Sequence, residues 1–357
     1  MNGDWRDAMG KRTTDLPGEE GKALLARLEE DSALPFAATG YWLSLAAEDY
    51  RECRRDGRGV PIDPILAQAL PSPAELERGP LESADPLCEE IHSPLPGLVH
   101  QYPSRILLRS TGECPLFCRH CFRRSLLPKE RGFLGEREQE AIRAYLQVHP
   151  EVREVLVSGG DPLTASTARL EALFSRLREG REGIFIRLCT RAPVTLPDRV
   201  DEELVAMLER FKPMRIVIQV NHPAEISDLF AEKMDMLTRA GLPVRSQTVL
   251  LRGINDSVPT LEELFSGLVR AGVDPYYLFQ CDLAAGTSHF RVPLSRGLEI
   301  YAELRKRLSG LELPRYAVDA PDGAGKLYLP ECIAGMEDGF WLLKGTEGSL
   351  HRYPEEG

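Results

Sequence analysis

From about residue 105 onward, short apolar runs alternate with longer amphipathic stretches. The runs are rich in β-branched residues, as buried strands are, and the stretches between them place apolar residues at the spacing of one helix face. The six runs are residues 105–109, 153–160, 184–190, 215–221, 244–251 and 276–282. The clearest helical stretches are residues 136–148, 167–179 and 228–241. A strand followed by a helix, repeated at roughly 30 residues or more, is the pattern of a βαβ unit.

Repeated strand–helix units predict an α/β fold, a parallel sheet with helices on its outer face. Right-handed crossovers curl such a sheet into a partial TIM-type (β/α)6 barrel, and a doubly wound open sheet is the alternative. The barrel predicts chemistry at the carboxyl ends of its strands. We expect a helical and irregular N-terminal extension over 1–100 with a helix at 18–30, the barrel over 101–320, and a short C-terminal segment over 321–357.

Composition narrows the class of protein. The chain has 357 residues, 43% hydrophobic and 28% charged, which is typical of an ordinary globular protein. The net charge of −11 argues against a nucleic-acid partner, because phosphate neutralisation needs a basic surface. The chain lacks the run of about 20 apolar residues that a membrane helix needs and starts without a signal-peptide pattern, so we expect no membrane partner and a cytoplasmic protein.

Three of the eight cysteines fall within one short segment. Cys114, Cys118 and Cys121 form a C-x3-C-x2-C loop directly after the first predicted strand. Three thiolates on one loop suit a 4Fe-4S cluster with one iron left open for chemistry. A structural zinc site and three unrelated thiols are the alternatives, but no second cysteine pair follows at zinc-ribbon spacing.

This loop resembles that of the radical S-adenosylmethionine superfamily, whose open iron binds the amino and carboxylate groups of S-adenosylmethionine. Phe122 stands where that superfamily has an aromatic residue beside the last cysteine. After the second predicted strand, Ser158, Gly159, Gly160 and Asp161 resemble its segment that contacts the methionine end of the cosubstrate. Taken alone, such a pair of glycines is more often a turn, since glycine adopts turn conformations at little cost.

A longer set of segments is similar to the lysine 2,3-aminomutase family, which also uses pyridoxal phosphate, over roughly residues 85 to 330. The segments are HQYPSRILLR, CRHCFRR, VSGGDPL, TRAPVTLP, NHPAEI, QTVLLRGIND, PYYLFQCDLAAGTSHFRVPLSRGLEI and VDAPDGAGK. The last of these ends on Lys326, whose amine is able to form a Schiff base with an aldehyde. Without the resemblance, a solvated lysine after a glycine-containing turn would be the default interpretation.

The resemblance implies a role for each matching residue. Lys326 would form the Schiff base with pyridoxal phosphate, and Arg105 would contact the cofactor phosphate. Arg123 would bind the substrate carboxylate, a task that suits the planar fork of a guanidinium. Asp282 and Asp319 would hold the distal ammonium of lysine; family members that act on glutamate lack this pair, and ordinary turn or capping chemistry is the alternative.

The resemblance suggests weaker candidates as well. Gln247 on the fifth strand would contact the cosubstrate, as would Asn221 and His222 after the fourth, although His222 is equally well explained as a loop histidine. Tyr276 and Tyr277 are expected to be packing residues.

Three differences from the family also appear. Asp322 and Ala324 stand where the family's loop is richer in glycine, and Phe279 replaces an expected aromatic hydroxyl. Only Cys332 follows Lys326, so we expect the family's C-terminal zinc site to be missing and its tetramer not to be assumed.

The resulting expectation is an isomerase that interconverts L-lysine and β-lysine and takes electrons from a donor such as flavodoxin or ferredoxin, with a homo-oligomer as one option for its assembly. An aminomutase acting on a lysyl group for translation elongation factor P is the nearest alternative. A non-catalytic iron-sulfur or zinc-binding module is another.

Overall fold

The computed structural model describes residues 5–355 except residues 11, 15, 17, 31–33 and 128–131. A nine-stranded sheet runs in the order β1 to β9 and curls into a nearly closed barrel. Strands β2 to β8 are parallel to one another, and β1 and β9 pair antiparallel at the two edges. The strands are β1 Leu98–Tyr102, β2 Arg105–Arg109, β3 Glu154–Ser158, β4 Phe185–Thr190, β5 Met214–Gln219, β6 Val244–Leu250, β7 Val273–Gln280, β8 Arg315–Ala320 and β9 Gly325–Tyr328.

A separate three-stranded antiparallel sheet follows the barrel, formed by β10 Ile333–Glu337, β11 Phe340–Lys344 and β12 Leu350–Pro354. The helices are α1 Trp5–Gly10, α2 Gly18–Glu30, α3 Gly40–Ser44, α4 Pro64–Ala67, α5 Glu136–Val148, α6 Thr167–Gly180, α7 Ala192–Thr195, α8 Glu202–Arg210, α9 Asp228–Arg239, α10 Val258–Arg270 and α11 Leu294–Arg307. Within the described ranges, no helix is both long and apolar enough to cross a bilayer.

The predicted partial α/β barrel is confirmed. All six predicted strands are present as β2 to β7, and the predicted helices at 18–30, 136–148, 167–179 and 228–241 correspond to α2, α5, α6 and α9. The chain adds a seventh parallel strand, β8, which the apolar pattern did not predict. Its sequence, RYAVDA, is short and carries a charge near each end, so it lacks a clear strand signal.

Side-chain alternation explains how the barrel presents its inner face. Along β4, Ile186 and Leu188 are buried beneath the helices, whereas Arg187 and Cys189 face the other way and stay partly accessible. Residues two apart lie on one face of a strand, so β4 supplies one buried apolar row and one partly accessible row. The partly accessible row, which includes Arg187, therefore faces the inside of the barrel.

The N-terminal extension packs onto the barrel through the same apolar core. Trp42 is fully buried, and its indole N–H donates a hydrogen bond to the carbonyl of Ile65 at 3.2 Å. The Thr39 hydroxyl donates to the carbonyl of Thr195, beyond β4, at 2.6 Å. The domain boundaries at residues 100 and 320 stay predictions, and the second of them falls inside the β8–β9 hairpin.

Candidate functional site

Most of the predicted site residues lie at the carboxyl ends of the parallel strands, whereas Arg105 begins β2, at the opposite end of that strand, and Gln247 lies within β6. The cysteine loop follows β2, Ser158 ends β3, and Asp282 lies two residues beyond β7. A cavity of about 450 Å³ opens beside them, between the 81–88 segment and the C-terminal strands, and Asp282 and Asp319 line it. This is the edge of a barrel at which loops from several strands bring ligands together.

The three cysteines of the loop are partly buried free thiols. Burial, together with the neighbouring Cys118 thiol, raises the pKa of Cys121 to about 11. Burial also raises the pKa of Cys114, as do Asp161 and the two other thiols. The thiols are therefore within electrostatic reach of one another, and their thiolates would need a positively charged group such as iron.

Among the described residues, no three His, Cys, Asp or Glu side chains have the mutual spacing of a metal-ion site. A cubane presents its irons at separate corners, so its thiolate ligands stand farther apart than the ligands of a single ion. The donor chemistry of the loop fits an iron-sulfur cluster, because thiolates are the ligands that such clusters take.

The glycine pair after β3 packs tightly against the cysteine loop. The N–H of Gly160 donates to the Thr111 carbonyl at 2.6 Å, and that of Asp161 donates to the Glu113 carbonyl at 2.7 Å. Gly159 has a φ of +117°, a conformation that side chains rarely adopt, and a Cβ there would lie 2.7 Å from the Thr111 carbonyl oxygen. The glycines thus allow β3 to approach the loop, and their predicted contact with the cosubstrate stays a prediction.

Asp161 is buried and its carboxylate is fully engaged within the protein. It accepts hydrogen bonds from the Thr190 hydroxyl at 2.7 Å and from the backbone N–H groups of Arg191 at 2.7 Å and Leu163 at 3.0 Å. Burial raises its pKa above the usual value, although these three donors act in the opposite direction. The carboxylate therefore holds the loop after β4 against the loop after β3.

Lys326 lies on β9, directly across the hairpin from Asp319 on β8. Its Nζ is 3.0 Å from each carboxylate oxygen of Asp319 and 3.8 Å from the ring centre of Phe279. Asp282 is electrostatically coupled to this pair: burial and the charge of Asp319 raise its pKa, and Lys326 lowers it. The structure thus brings together the predicted Schiff-base lysine and both predicted substrate acids.

Strand β1 supports the lysine loop, a role that the sequence did not predict. The Lys326 backbone N–H donates to the Tyr102 hydroxyl at 2.9 Å, and Gln101 donates from Nε2 to the Gly323 carbonyl at 2.8 Å. The guanidinium carbon of Arg105 is 3.7 Å from the centre of the Tyr102 ring. Tyr102 therefore links Arg105, the predicted phosphate ligand, to Lys326, the predicted Schiff-base lysine. The position of Tyr102 in the segment HQYPSR was the feature of the sequence from which this role could have been predicted.

Arg123 is buried and paired with Glu89, which sequence reasoning missed. Its Nε lies 2.9 Å from Oε2 and its Nη2 2.6 Å from Oε1 of that carboxylate, a bidentate geometry. Nη1 is 3.3 Å from the Ser158 hydroxyl, and Arg109 Nη1 is 3.8 Å from Glu89 Oε2. Two guanidinium groups share one carboxylate, so this cluster carries one net positive charge.

The remaining candidates, Gln247, Asn221, His222 and Tyr277, make different kinds of contact. Gln247 on β6 is in register with Tyr277 on β7, and the buried Tyr277 ring, which packs against Tyr276 and Phe279, is 5.2 Å from Lys326 Nζ. Asn221 is fully buried and donates from Nδ2 to Gln68 Oε1 at 2.9 Å. His222 accepts a hydrogen bond from the Ala224 N–H at 3.2 Å, as a loop histidine does.

Comparisons with known proteins identify the family. The model of the Radical SAM superfamily matches residues 108–265. L-lysine 2,3-aminomutase of Fusobacterium nucleatum is 39% identical, with 97% of this chain and 78% of the relative covered. That of Clostridium subterminale is 38% identical over 99% of this chain and 84% of its own length, and glutamate 2,3-aminomutase of Clostridioides difficile is 36% identical over 82% and 70%.

These enzymes are isomerases, and the superfamily implies a 4Fe-4S cluster and S-adenosylmethionine. The chain belongs to the lysine 2,3-aminomutase family of radical S-adenosylmethionine enzymes.

Proposed function

We propose that the chain interconverts L-lysine and β-lysine, 3,6-diaminohexanoate, by moving an amino group between C2 and C3. The observation that carries the proposal is the pairing of Lys326 with Asp319 beside Asp282. Two carboxylates that converge on one position are unfavourable unless a cation joins them, and the distal ammonium of lysine is such a cation. Glutamate has no second amine and would place a carboxylate against these acids.

The site would hold two groups, an iron-sulfur cluster and pyridoxal phosphate. Cys114, Cys118 and Cys121 would ligate the 4Fe-4S cluster, and Lys326 would bind pyridoxal 5'-phosphate with Arg105 at its phosphate. The cluster would supply one electron for the reductive cleavage of S-adenosylmethionine, and pyridoxal phosphate would supply its aldehyde chemistry at the substrate amine. An electron donor such as flavodoxin or ferredoxin would reduce the cluster.

The residues of the chain would orient the substrate and exclude water. Arg123 would bind the α-carboxylate from a buried position fixed by Glu89, and Asp282 and Asp319 would bind the ammonium at the other end. Contacts at both ends hold the carbon chain extended between them. Such positioning contributes strongly to rate, because the reacting atoms are already aligned when the radical forms.

The position of the cavity favours a free amino acid over a protein-linked lysyl group. The cavity borders the two acids, whereas Arg123 at the carboxylate end is buried and hydrogen-bonded to Glu89, Ser158 and Gly159. A lysyl group attached to a protein through its carboxyl carbon would need room for that protein at the buried end of the site, beside Arg123. An α-carboxylate needs no such passage.

The decisive experiment is anaerobic incubation of the reconstituted protein with lysine, pyridoxal phosphate, S-adenosylmethionine and dithionite, followed by analysis of the products. We expect β-lysine, and parallel reactions with glutamate should give no β-glutamate. Formation of 5'-deoxyadenosine without β-lysine would refute the substrate and leave the superfamily chemistry intact.

A second measurement tests the cofactor. Borohydride reduction of protein loaded with pyridoxal phosphate, followed by peptide mapping, should place a pyridoxyl group on Lys326. A non-catalytic iron-sulfur module would give no adduct at that lysine. The Lys326→Ala variant is the matched control.

A further inference from the structure

A buried guanidinium contacts one of the cysteines of the loop. Nη1 of Arg191 lies 2.8 Å from Sγ of Cys118, and the Arg191 side chain is 7% exposed. Arg191 follows β4 in the segment TRAPVTLP, so the contact joins the loop after β2 to the loop after β4. Neither the sequence pattern nor the proposed reaction assigns this side chain a role.

The Arg191 guanidinium is held from both sides. Its Nη2 donates to Gln68 Oε1 at 2.6 Å and lies 3.2 Å from both carboxylate oxygens of Glu225. The guanidinium carbon is 4.7 Å from the centre of the Trp42 ring. Gln68 and Trp42 come from the N-terminal extension, whereas Glu225 follows β5, so two parts of the chain fix the direction of Nη1.

The contact between Arg191 and Cys118 bears on the reduction potential of the cluster. A reduced cluster carries one more negative charge than the oxidised cluster, and that charge is shared with the ligand sulfurs. Hydrogen bonds to the sulfurs are among the factors that set the reduction potential of a cluster. A charged donor in a buried site acts more strongly than one in water.

We propose that Arg191 tunes the cluster by donating a hydrogen bond from Nη1 to Cys118 Sγ, which raises the reduction potential and eases electron delivery. The inference rests on the proposed assignment of Cys118 as a cluster ligand. It gives the N-terminal extension a functional role through Gln68 and Trp42. Arg191 would act on the cluster and not on the substrate.

The test is the midpoint potential of the reconstituted cluster, measured by EPR-monitored titration before S-adenosylmethionine is added. Arg191→Met removes the donor and should make the potential more negative than that of the wild type. Glu225→Gln removes the counter-charge and leaves the donor, so its potential should be equal to or higher than the wild-type value. Iron content per chain and thermal unfolding check that the variants are intact.

A spectroscopic readout supports the same test in Arg191→Lys, which keeps the buried cation. Protein labelled with 15N in its arginine guanidinium groups should show a 15N coupling to the reduced cluster, and this coupling should be lost in Arg191→Lys. An unchanged or higher potential in Arg191→Met, or the same coupling in Arg191→Lys, would overturn the inference. So would failure of both folded Arg191 variants to hold any cluster, because that result indicates a role in assembly.

The two proposals fail in different ways. If the wild-type protein assembles no cluster on Cys114, Cys118 and Cys121, the proposed function itself is wrong. If the wild type is active and only the potentials are insensitive to Arg191, the tuning role alone is wrong.

Discussion

Lys326 Nζ lies 3.0 Å from both carboxylate oxygens of Asp319, its partner across the β8–β9 hairpin. The acid expected to hold the substrate ammonium therefore already holds an ammonium of the protein. Pyridoxal phosphate held at Lys326 would engage this Nζ, which would leave the Asp319 carboxylate open to an arriving cation. In the chain without cofactor, the pairing explains how two acids persist at one site.

Asp319→Asn should weaken lysine use far more than cluster assembly. Removing one partner of a desolvated charge pair costs about 2–5 kcal/mol, and the partial exposure of this pair favours the lower end, so we expect KM for lysine to rise by roughly 30-fold. Steady-state kinetics and iron content measure the two effects. Asp322→Asn is the matched control: Asp322 lines the same cavity at a φ of +61°, which asparagine tolerates. Equal losses of lysine use and iron would indicate a folding role for Asp319.

Asp282 should make lysine binding dependent on pH. Burial and the neighbouring charge of Asp319 raise its pKa above the usual carboxyl value. Below that raised pKa the carboxyl is protonated, and a cationic substrate must displace the proton, so KM for lysine should fall as pH rises through the pKa. In Asp282→Asn this dependence should flatten. An equally steep profile in the variant would assign the titration to another group.

The pattern of the sequence predicted the barrel because buried strands and amphipathic helices leave a strong periodic signal. The cysteine loop was equally predictable from the sequence, since its three thiols lie close together along the chain. The pairing of Glu89 with Arg123 was not predictable, because the two residues are separated by 34 positions and belong to no common sequence motif. The same holds for Arg191 and Cys118, which meet only once β2, β3 and β4 lie side by side in the sheet.

Strand β8 shows a second reason why some pairings in the site could not be predicted from the sequence. Its contact with β7 on one side and β9 on the other sets the register in which Asp319 faces Lys326. Register depends on partners that are distant in the chain, and a one-residue shift would turn Asp319 to the other face. The resemblance to the family named both residues, but it did not predict that they pair.

Glu89→Gln should destabilise the protein, because Arg123 and Arg109 would lose the carboxylate between them. Breaking a buried charge pair costs about 3–5 kcal/mol, and urea unfolding of the cluster-free protein would measure the change in unfolding free energy. Burial acts to raise the pKa of Glu89, but Arg123 and Arg109 outweigh it and hold the pKa below 4.5.

A lowered carboxyl pKa contributes stability above the unfolded-state value that is lost as pH falls through the folded-state value. The difference between wild type and Glu89→Gln should therefore shrink below about pH 4.5. Glu90→Gln, at the exposed neighbouring position, is the control and should leave stability unchanged within about 0.5 kcal/mol. A constant difference across this pH range would contradict the charge-pair explanation.

Gly160→Ala should disturb the cysteine loop through contact alone. A Cβ at this position would overlap the Glu113 carbonyl oxygen and lie 2.9 Å from its carbonyl carbon, and both atoms belong to the backbone just before Cys114. Overpacking of this kind costs about 1–3 kcal/mol, and we expect lower iron content after reconstitution. Gly335→Ala on β10 is the control, because a methyl group added there would meet no other atom within 4 Å. Full iron content in Gly160→Ala would mean that the loop accommodates the methyl group and that the close approach of β3 is not required for the cluster.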